Sequence, residues 1–286
     1  MNVVLPKKEK MNKKAVALYI VSILICVLAA IVVACSQYFG PEKLDQMIAT
    51  NTNKGVQKEV DEELLIAGFD ELFTNQIEAY QSSVNIKKID DSKDIIYPYY
   101  QKQEKQENNY DLDICIPFFN IDNEIVKKYN EAIEGDFVKK AESVLESKNS
   151  NVIYTVQYVA TVEEDILSLM IRSNLKDGSS AQRVIIQTYH FDLKNNKEVT
   201  LEDLLNRKSI QIADVENKVK QQIETEQKKV EDLKALGYNI FERNAEDEMY
   251  QVKNTDQFFI KDGNIYLIYA YGNEALTSEL DLIIVS

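Results

Sequence analysis

The sequence contains a single imidazole, and this is the first side chain to consider for chemistry. His190 lies in the alternating segment 183–193, RVIIQTYHFDL, where it shares a strand face with Ile186, Thr188 and Asp192. A histidine beside an aspartate is part of a Ser-His-Asp triad, but no G-x-S-x-G motif or comparable nucleophile accompanies it. The pattern therefore favours a hydrogen-bonded structural histidine over a catalytic one.

Acidic residues form three short clusters, which are Asp111 with Asp113, residues 163–165 and residues 246–248. A glycosidase needs two carboxyl groups roughly 5–10 Å apart in environments that separate their pKa values. These clusters fall at predicted turns and strand ends instead, where side chains are solvated. No D-x-D-x-D-G calcium loop is present, and one histidine with three cysteines is too few for a His-rich or Cys-rich zinc site. We therefore expect no catalytic residue, no metal and no cofactor.

The elements that must position these residues are typical of an α+β domain. Alternating apolar residues predict strands at 94–100, 110–119, 151–162, 166–172, 183–193, 257–260, 265–271 and 280–285. Apolar residues at three- and four-residue steps predict helices after Asp122 or Asn123 as far as Leu145, at 200–205, and from about 212 to 236. The sequence therefore predicts a mostly antiparallel sheet packed with two or three helices.

Local signals place several element boundaries. Thr200 with Asp203 has the pattern of a capping box, and Gly237 stands where a C-terminal cap glycine belongs. The turn at 261–264 contains Asp-Gly and predicts a hairpin. Pro117 is expected to end its strand or to place it at a sheet edge.

An uncharged segment of 20 residues, Ala15 to Ala34, precedes this domain. At 1.5 Å per residue it spans about 30 Å, the thickness of the hydrocarbon core. Five lysines and one glutamate precede it, so the positive-inside rule places residues 1–14 in the cytoplasm and residues from 36 onwards outside. The net charge of −14 then divides into +4 for the first 35 residues and −18 for the rest. This acidic exterior argues against a nucleic-acid binder.

Two interpretations of the anchor remain open. A signal anchor keeps the helix in the bilayer, and a run of 20 apolar residues suits it better than the 7–15 of a cleaved signal. The alternative is a lipoprotein signal, because residues 32–36, VVACS, approximate a bacterial lipobox. In that case Cys35 is lipidated and becomes the mature N-terminus. The length of the run favours the uncleaved helix.

Residues 36–90 are predicted to form a helical juxtamembrane stalk, followed by one extracytoplasmic domain at 91–286. Apolar residues recur at helical spacing between about Glu59 and Tyr80. Such a face suits packing on the main domain or on a second copy, and a cleavable sensory linker is the functional alternative. Cys115 is the one cysteine inside the domain, so we expect a buried, unreactive thiol and no disulfide framework.

The order of segments resembles an extracytoplasmic domain of Gram-positive bacteria. That domain is found in anti-sigma-V factors and before the catalytic part of some peptidoglycan deacetylases. The resemblance covers about residues 94–286 and is clearest from Tyr189 to Leu205, where His190 replaces the usual Asn. A stub of 14 residues is too short for the helical segment that holds a sigma factor, and no deacetylase domain follows Ser286. The resemblance therefore implies sensing without sigma-factor sequestration.

The resembled anti-sigma factors are associated with sensing lysozyme, a basic protein. We therefore expect a membrane-anchored, non-catalytic sensor or binding protein of the cell envelope, whose ligand is a cationic protein or a cell-wall component. A carboxylate-dependent enzyme that modifies cell-wall glycan is the alternative. The candidate ligand surface consists of Tyr97, Tyr99, Tyr100, Tyr271 and Glu274. The oligomeric state stays open.

Overall fold

The computed structural model describes residues 62–146, 151–179, 182–238, 240–273 and 276–286, without the side chains of residues 271–279. All of them belong to one compact unit, Glu62–Ser286. The apolar segment 15–34 and Cys35 lie outside the described residues. In the part of the chain that is described, no helix combines the length and the apolar character that a membrane span requires.

The larger sheet has seven strands, which are β1 Ile77–Tyr80, β2 Ile96–Gln106, β3 Tyr110–Phe119, β4 Val152–Glu163, β5 Ile166–Asp177, β6 Arg183–Asp192 and β7 Lys197–Glu198. Their spatial order is β2-β3-β4-β5-β6-β7. The β4–β5–β6 meander is antiparallel, as predicted. β3 and β1 both run parallel to β4, and they pair with its first and second halves respectively.

Helices cover one face of this sheet. α1 (Glu124–Ile133) continues through a π-helical turn, Glu134–Val138, into α2 (Lys139–Glu146). The side chain of Asn123 caps α1 by accepting the N–H of Ile125 at 2.8 Å, because Asn is a strong N-cap residue. Apolar side chains of α1 and α2 pack on the face of β4 that carries Tyr154 and Tyr158, as the stripe predicts.

A second, three-stranded sheet covers the other face. It consists of β8 Phe258–Lys261, β9 Asn264–Asn273 and β10 Leu276–Val285 in the order β10-β9-β8. Phe259, Tyr266 and Ile284 of this sheet pack against Val159 and Met170 of the larger one. The chain therefore folds as an α+β domain with mostly antiparallel sheet and a few helices.

Two further helices cover the outer face of the small sheet. They are α3 (Leu201–Arg207) and α4 (Ile212–Ala235). The predicted capping box of Thr200 and Asp203 is present at the start of α3. Gly237 has a φ of +91° just beyond α4, where the N–H of Gly237 bonds the carbonyl of Lys234, so the predicted glycine cap is confirmed.

The outer edge of β8 is buried against the larger sheet, where side chains satisfy its backbone groups. Ile260 donates its N–H to Ser168 Oγ at 3.4 Å and accepts Thr161 Oγ1 at 2.5 Å on its carbonyl. Phe258 donates its N–H to Thr188 Oγ1 at 3.3 Å. Buried backbone groups need partners, and here hydroxyls of β4, β5 and β6 take the place of a neighbouring strand.

The prediction of one helix from Glu59 to Tyr80 is wrong in its second half. Helical structure extends over residues 62–67 and is followed by a 3-10 turn, Phe69–Leu72, and then by β1. Between the 3-10 turn and β1 the chain turns at Asn75, which has a φ of +60°. The backbone N–H of Asn75 bonds the carbonyl of Tyr158 at 2.8 Å, so pairing with β4 replaces helical bonds. Residues 62–90 therefore belong to the compact unit rather than to a separate stalk.

Pro117 does not end its strand, but the part of β3 that carries it is a local edge of the sheet. It lies within β3, opposite Pro98 of β2. β3 pairs with β4 only from Tyr110 to Ile114, so the stretch around Pro117 has a neighbouring strand on one side only. A missing N–H is tolerated there because no ladder bond is lost.

Candidate functional site

A groove of about 430 Å³ lies where β6 meets the start of α3 and the segment that leads into β8. We call it the β6 groove. It is lined by Tyr129, Thr188, Tyr189, His190, Glu198, Val199, Thr200, Leu201, Glu202, Val252, Lys253, Thr255, Asp256, Gln257 and Phe258. Residues 188–190, near the end of β6, therefore form its floor, and residues 198–202 and 252–257 form its rims.

Two tyrosines form one wall of the groove. The rings of Tyr129 and Tyr189 lie 5.0 Å apart, and the Tyr129 hydroxyl donates to the carbonyl of His190 at 3.1 Å. Burial, with the negative charge of Glu198 second, raises the pKa of Tyr129 above its usual value. Burial also raises the pKa of Tyr189. Both phenols are therefore neutral at physiological pH and add no charge to the wall.

The rims of the groove are acidic. Glu198, Glu202 and Asp256 are exposed carboxylates, and Lys253 is the one ammonium in the lining. Glu198 is the last residue of β7, Glu202 lies in the first turn of α3, and Asp256 precedes β8. Three carboxylates against one ammonium leave the groove with a negative potential, which favours a cationic ligand.

His190 faces the protein interior rather than a substrate. Its ring stacks on Phe258 with 3.7 Å between ring centres, and Nδ1 lies 3.1 Å from Ser168 Oγ. Burial lowers the pKa of His190 to about 3, and the carbonyl of Phe258 opposes this shift. Ser168 is fully buried and bonds β8, so its hydroxyl is closed to any substrate in this arrangement. The expected structural histidine is what the contacts indicate.

Asp192, the acidic member of the Ser-His-Asp triad considered above, bonds to residues other than His190. Its fully buried carboxylate pairs with Arg207 of α3 and accepts the N–H of Asn195 at 2.8 Å. Burial acts to raise the pKa of Asp192, but the bonds from Asn195 and Arg207 outweigh it and lower that pKa. This carboxylate therefore holds the β6–β7 turn to α3.

The three tyrosines near the start of β2 do not meet the β6 groove. Tyr97 and Tyr99 lie with Phe118 on the outer surface of β2 and β3, at ring distances of 5.6 Å and 5.3 Å from Phe118. Tyr99 is 56% exposed, whereas Tyr100 packs against the main core. The side chains of Tyr271 and Glu274 lie outside the described residues. Of the predicted ligand surface, the three tyrosines of β2 therefore lie apart from the groove.

The three acidic clusters make structural contacts. Asp111 pairs with Lys105 at 2.5 Å on the exposed side of the β2–β3 hairpin. Glu163 accepts the N–H groups of Asp262 at 2.5 Å and Gly263 at 3.0 Å. Glu246 pairs with Lys220 of α4. Within the described part of the chain, no three His, Cys, Asp or Glu side chains converge as metal ligands.

Sequence reasoning missed the residues of the groove. Tyr129 appears in the sequence as one more apolar position of a helix stripe, and Asp256 lies more than 50 residues beyond Glu198 and Glu202. No local spacing joins these groups, because the folding of β8 onto β6 brings them together. The one available signal was the Tyr189 to Leu205 segment, which supplies most of the floor and one rim.

Comparisons with known proteins add a distant likeness of fold. The crystal structure of a DUF3298 family protein from Pseudomonas aeruginosa PAO1 is 12% identical, with a TM-score of 0.37, and the match covers 70% of this chain and 89% of that chain. A member of the same family from Bacteroides fragilis NCTC 9343 is also 12% identical, with a TM-score of 0.31 and coverage of 70% and 90%. At these values neither likeness decides the fold class or the function. No family model and no curated protein matches the sequence.

Proposed function

We propose that this chain is a non-catalytic, membrane-anchored binding protein of the bacterial cell envelope, and that its ligand is a cationic protein such as lysozyme. The observation that carries the proposal is the β6 groove, in which three carboxylates and two tyrosines surround about 430 Å³ and one lysine opposes them. Carboxylates at a rim attract lysine and arginine side chains.

The placement of the domain outside the membrane rests on charge and hydropathy. The segment Ala15–Ala34 is long enough to span the bilayer, and the lysines before it favour a cytoplasmic N-terminus. The acidic remainder then faces the cell wall, where it repels anionic polymers and attracts basic proteins.

Binding to lysozyme tests the ligand. The full chain is purified in detergent, and its affinity is measured by calorimetry at low and high salt for native lysozyme and for succinylated lysozyme, whose lysines carry negative charge. We expect saturable binding to native lysozyme that weakens with salt, because exposed charges are screened within about 10 Å at 0.1 M. Binding to the succinylated protein is expected to be lost.

Paired variants test the groove. Glu202→Gln with Asp256→Asn removes two of its exposed charges, and we expect affinity to fall about two- to thirtyfold, since each exposed pair contributes about 0.2–1 kcal/mol. Glu131→Gln with Glu142→Gln removes two exposed charges from α1 and α2 and is the matched control. Equal losses in both double variants would contradict a site at the groove. Turnover of labelled peptidoglycan by the wild type would favour the glycan-modifying enzyme.

The anchor is tested separately in cells. Incorporation of radiolabelled palmitate that disappears in Cys35→Ser would establish the lipoprotein alternative. With an uncleaved helix, we expect no label, and a chain that retains an epitope tag placed before Ala15.

A further inference from the structure

Strand β6 has an open outer edge. Its inner edge pairs with β5 along its whole length, from Arg183 to Asp192. On its outer side β7 pairs only with Phe191 and Asp192. Among the residues that the structure describes, no strand pairs with the outer edge of residues 183–189. A row of backbone groups is therefore available to an additional strand.

The groups that point outward are identified by two contacts. The N–H of Thr188 donates to Gln257 Oε1 at 2.8 Å, and the carbonyl of His190 accepts the N–H of Val199 at 3.1 Å. Because alternate residues of an antiparallel strand bond to opposite sides, Val184 and Ile186 also direct N–H and carbonyl groups outward. Gln257 thus occupies one outward position, and no described residue bonds the backbone groups of the two before it.

Two other edge strands differ from β6 in ways that prevent strand addition. β2 carries Pro98, a break of register between Pro98 and Tyr100, and a charged second half. These are features by which proteins protect sheet edges. The edge of β8 is covered by hydroxyl side chains, as described above. β6 has no proline, its register with β5 is unbroken, and Ile185 is 49% exposed on it.

We propose that the open edge of β6 binds an extended peptide segment of a partner as an additional strand, with a basic residue of that segment in the β6 groove. The inference rests on the proposed function, since it names how a cationic partner is held. Backbone hydrogen bonds to Val184 and Ile186 contribute affinity, and the groove at the end of this edge makes binding specific for a segment with a basic residue.

Charge selects this occupant over a second copy of the chain. The groove begins where the open edge ends, at Thr188, so a segment that pairs with Val184 and Ile186 reaches Glu198, Glu202 and Asp256. A lysine or arginine there meets three carboxylates. Pairing between two copies instead brings together two domains that each carry a large negative charge, which opposes association.

Short synthetic peptides test the proposal on the full chain in detergent. The probe is the blocked hexapeptide Lys-Thr-Val-Thr-Val-Lys, which presents a lysine to the groove in either strand direction. We expect saturable binding by fluorescence anisotropy and slowed amide hydrogen exchange at residues 184 and 186. The same peptide with glutamate at both ends is expected to bind at least tenfold more weakly. A peptide N-methylated at alternate residues keeps its charge and side chains and is expected to lose binding, because it lacks strand donors.

A protein variant tests the same edge. Val184→Pro removes an outward N–H without removing a bond to β5, since proline is tolerated on the solvent side of an edge strand. We expect it to weaken the probe about tenfold, whereas Val184→Ala, which changes only the side chain, retains binding. The N-methylated peptide uses the unchanged protein, so it decides the question even where Val184→Pro fails to fold.

Four results would overturn the inference. The first is equal binding of the N-methylated and unmodified peptides, and the second is unchanged exchange at residues 184 and 186. The third is sedimentation of the wild type as a dimer that Val184→Pro converts to a monomer, which would assign the edge to a second copy. The fourth, lysozyme binding that survives Val184→Pro, overturns strand addition alone, whereas absence of lysozyme binding to the wild type contradicts the proposed function itself.

Discussion

Ser168 Oγ lies 3.1 Å from Nδ1 of His190, across the β5–β6 pairing and beneath the Phe258 ring. Ser168 also accepts the N–H of Ile260, so its own proton is available for the imidazole. The Nε2 atom of His190 is buried and has no hydrogen-bond partner within the described residues. Burial of a protonated imidazole there would cost more than the backbone of Phe258 returns, so the ring stays neutral in the folded chain.

The stability of the fold should therefore fall with acidity. The pKa of His190 is near 3 in the folded chain and 6.5 in the unfolded chain, so the unfolded state binds the proton first as the pH falls. The free energy of unfolding is unaffected by this group above pH 6.5. It should drop by about 2 kcal/mol between pH 7 and pH 5, at about 1.36 kcal/mol per pH unit. Denaturant titration of the full chain by circular dichroism measures it.

A histidine-free variant is the control for that slope. His190→Gln removes the only imidazole of the sequence, so the loss between pH 7 and pH 5 should shrink by most of its size. An equal slope in His190→Gln would mean that carboxylates cause the acid sensitivity.

Glu163 fastens the β8–β9 turn to the larger sheet. Its two carboxylate oxygens accept N–H groups of Asp262 and Gly263, and hydrogen bonds to charged groups contribute about 1.5–3 kcal/mol each. Glu163→Gln turns one acceptor into a donor that faces an N–H, so we expect it to lower the free energy of unfolding by about 2 kcal/mol. Its exposed neighbour Glu164 is the matched control, and Glu164→Gln should change stability by less than about 0.5 kcal/mol. Similar losses of unfolding free energy in the two variants would contradict this role of Glu163.

Asn120 organises the segment before β2. Its side chain is fully buried, donates to the carbonyls of Asp90 at 2.7 Å and Asp94 at 3.1 Å, and accepts the N–H of Asp90 at 2.8 Å. Asn120→Asp directs a carboxylate oxygen at those carbonyls, so we expect a loss of about 3 kcal/mol in unfolding free energy. Asn123→Asp keeps the α1 cap, because Asp and Asn cap equally well, and should be nearly neutral. Thermal unfolding of the two variants separates the roles, and a neutral Asn120→Asp would show that the segment does not depend on these bonds.

Cys115 should be protected from thiol reagents in the folded chain. It is buried on β3 beside Gln101, and burial raises the pKa of its thiol, so little thiolate forms at neutral pH. Peptide mapping by mass spectrometry after brief iodoacetamide treatment should find Cys115 unmodified and an introduced, exposed Ser92→Cys modified. Equal labelling of the two positions would contradict the protected environment.

Local patterns were sufficient for most of the elements. Alternation predicts β3, β4 and β6 to within a residue or two, and capping residues place the start of α3 and the end of α4. Both signals depend on neighbours in sequence, which the residues themselves reveal. The helical stripe after Asn123 likewise covers α1 and α2, although the π-helical turn inside it has no marker in the pattern.

Contacts between residues that are far apart in the chain could not be predicted from the sequence. Residues 77–80 fit a helix stripe as well as a strand, and only the free side of β4 decides in favour of β1. The same holds for the β6 groove, whose carboxylates come together through the docking of β8. The hydroxyls of Thr161, Ser168 and Thr188 look like ordinary strand positions until the edge that they cover is known.

The hydroxyl-covered edge of β8 also orders the events of folding. The strands that carry Thr161, Ser168 and Thr188 precede β8 in the chain, and until β8 docks they lack the apolar side chains that cover Val159 and Met170. The C-terminal hairpin then docks onto a surface that is already complementary to it. Exposed apolar sheet surface of this kind is prone to aggregation. The docking of β8, β9 and β10 is therefore the step that removes this surface from solvent.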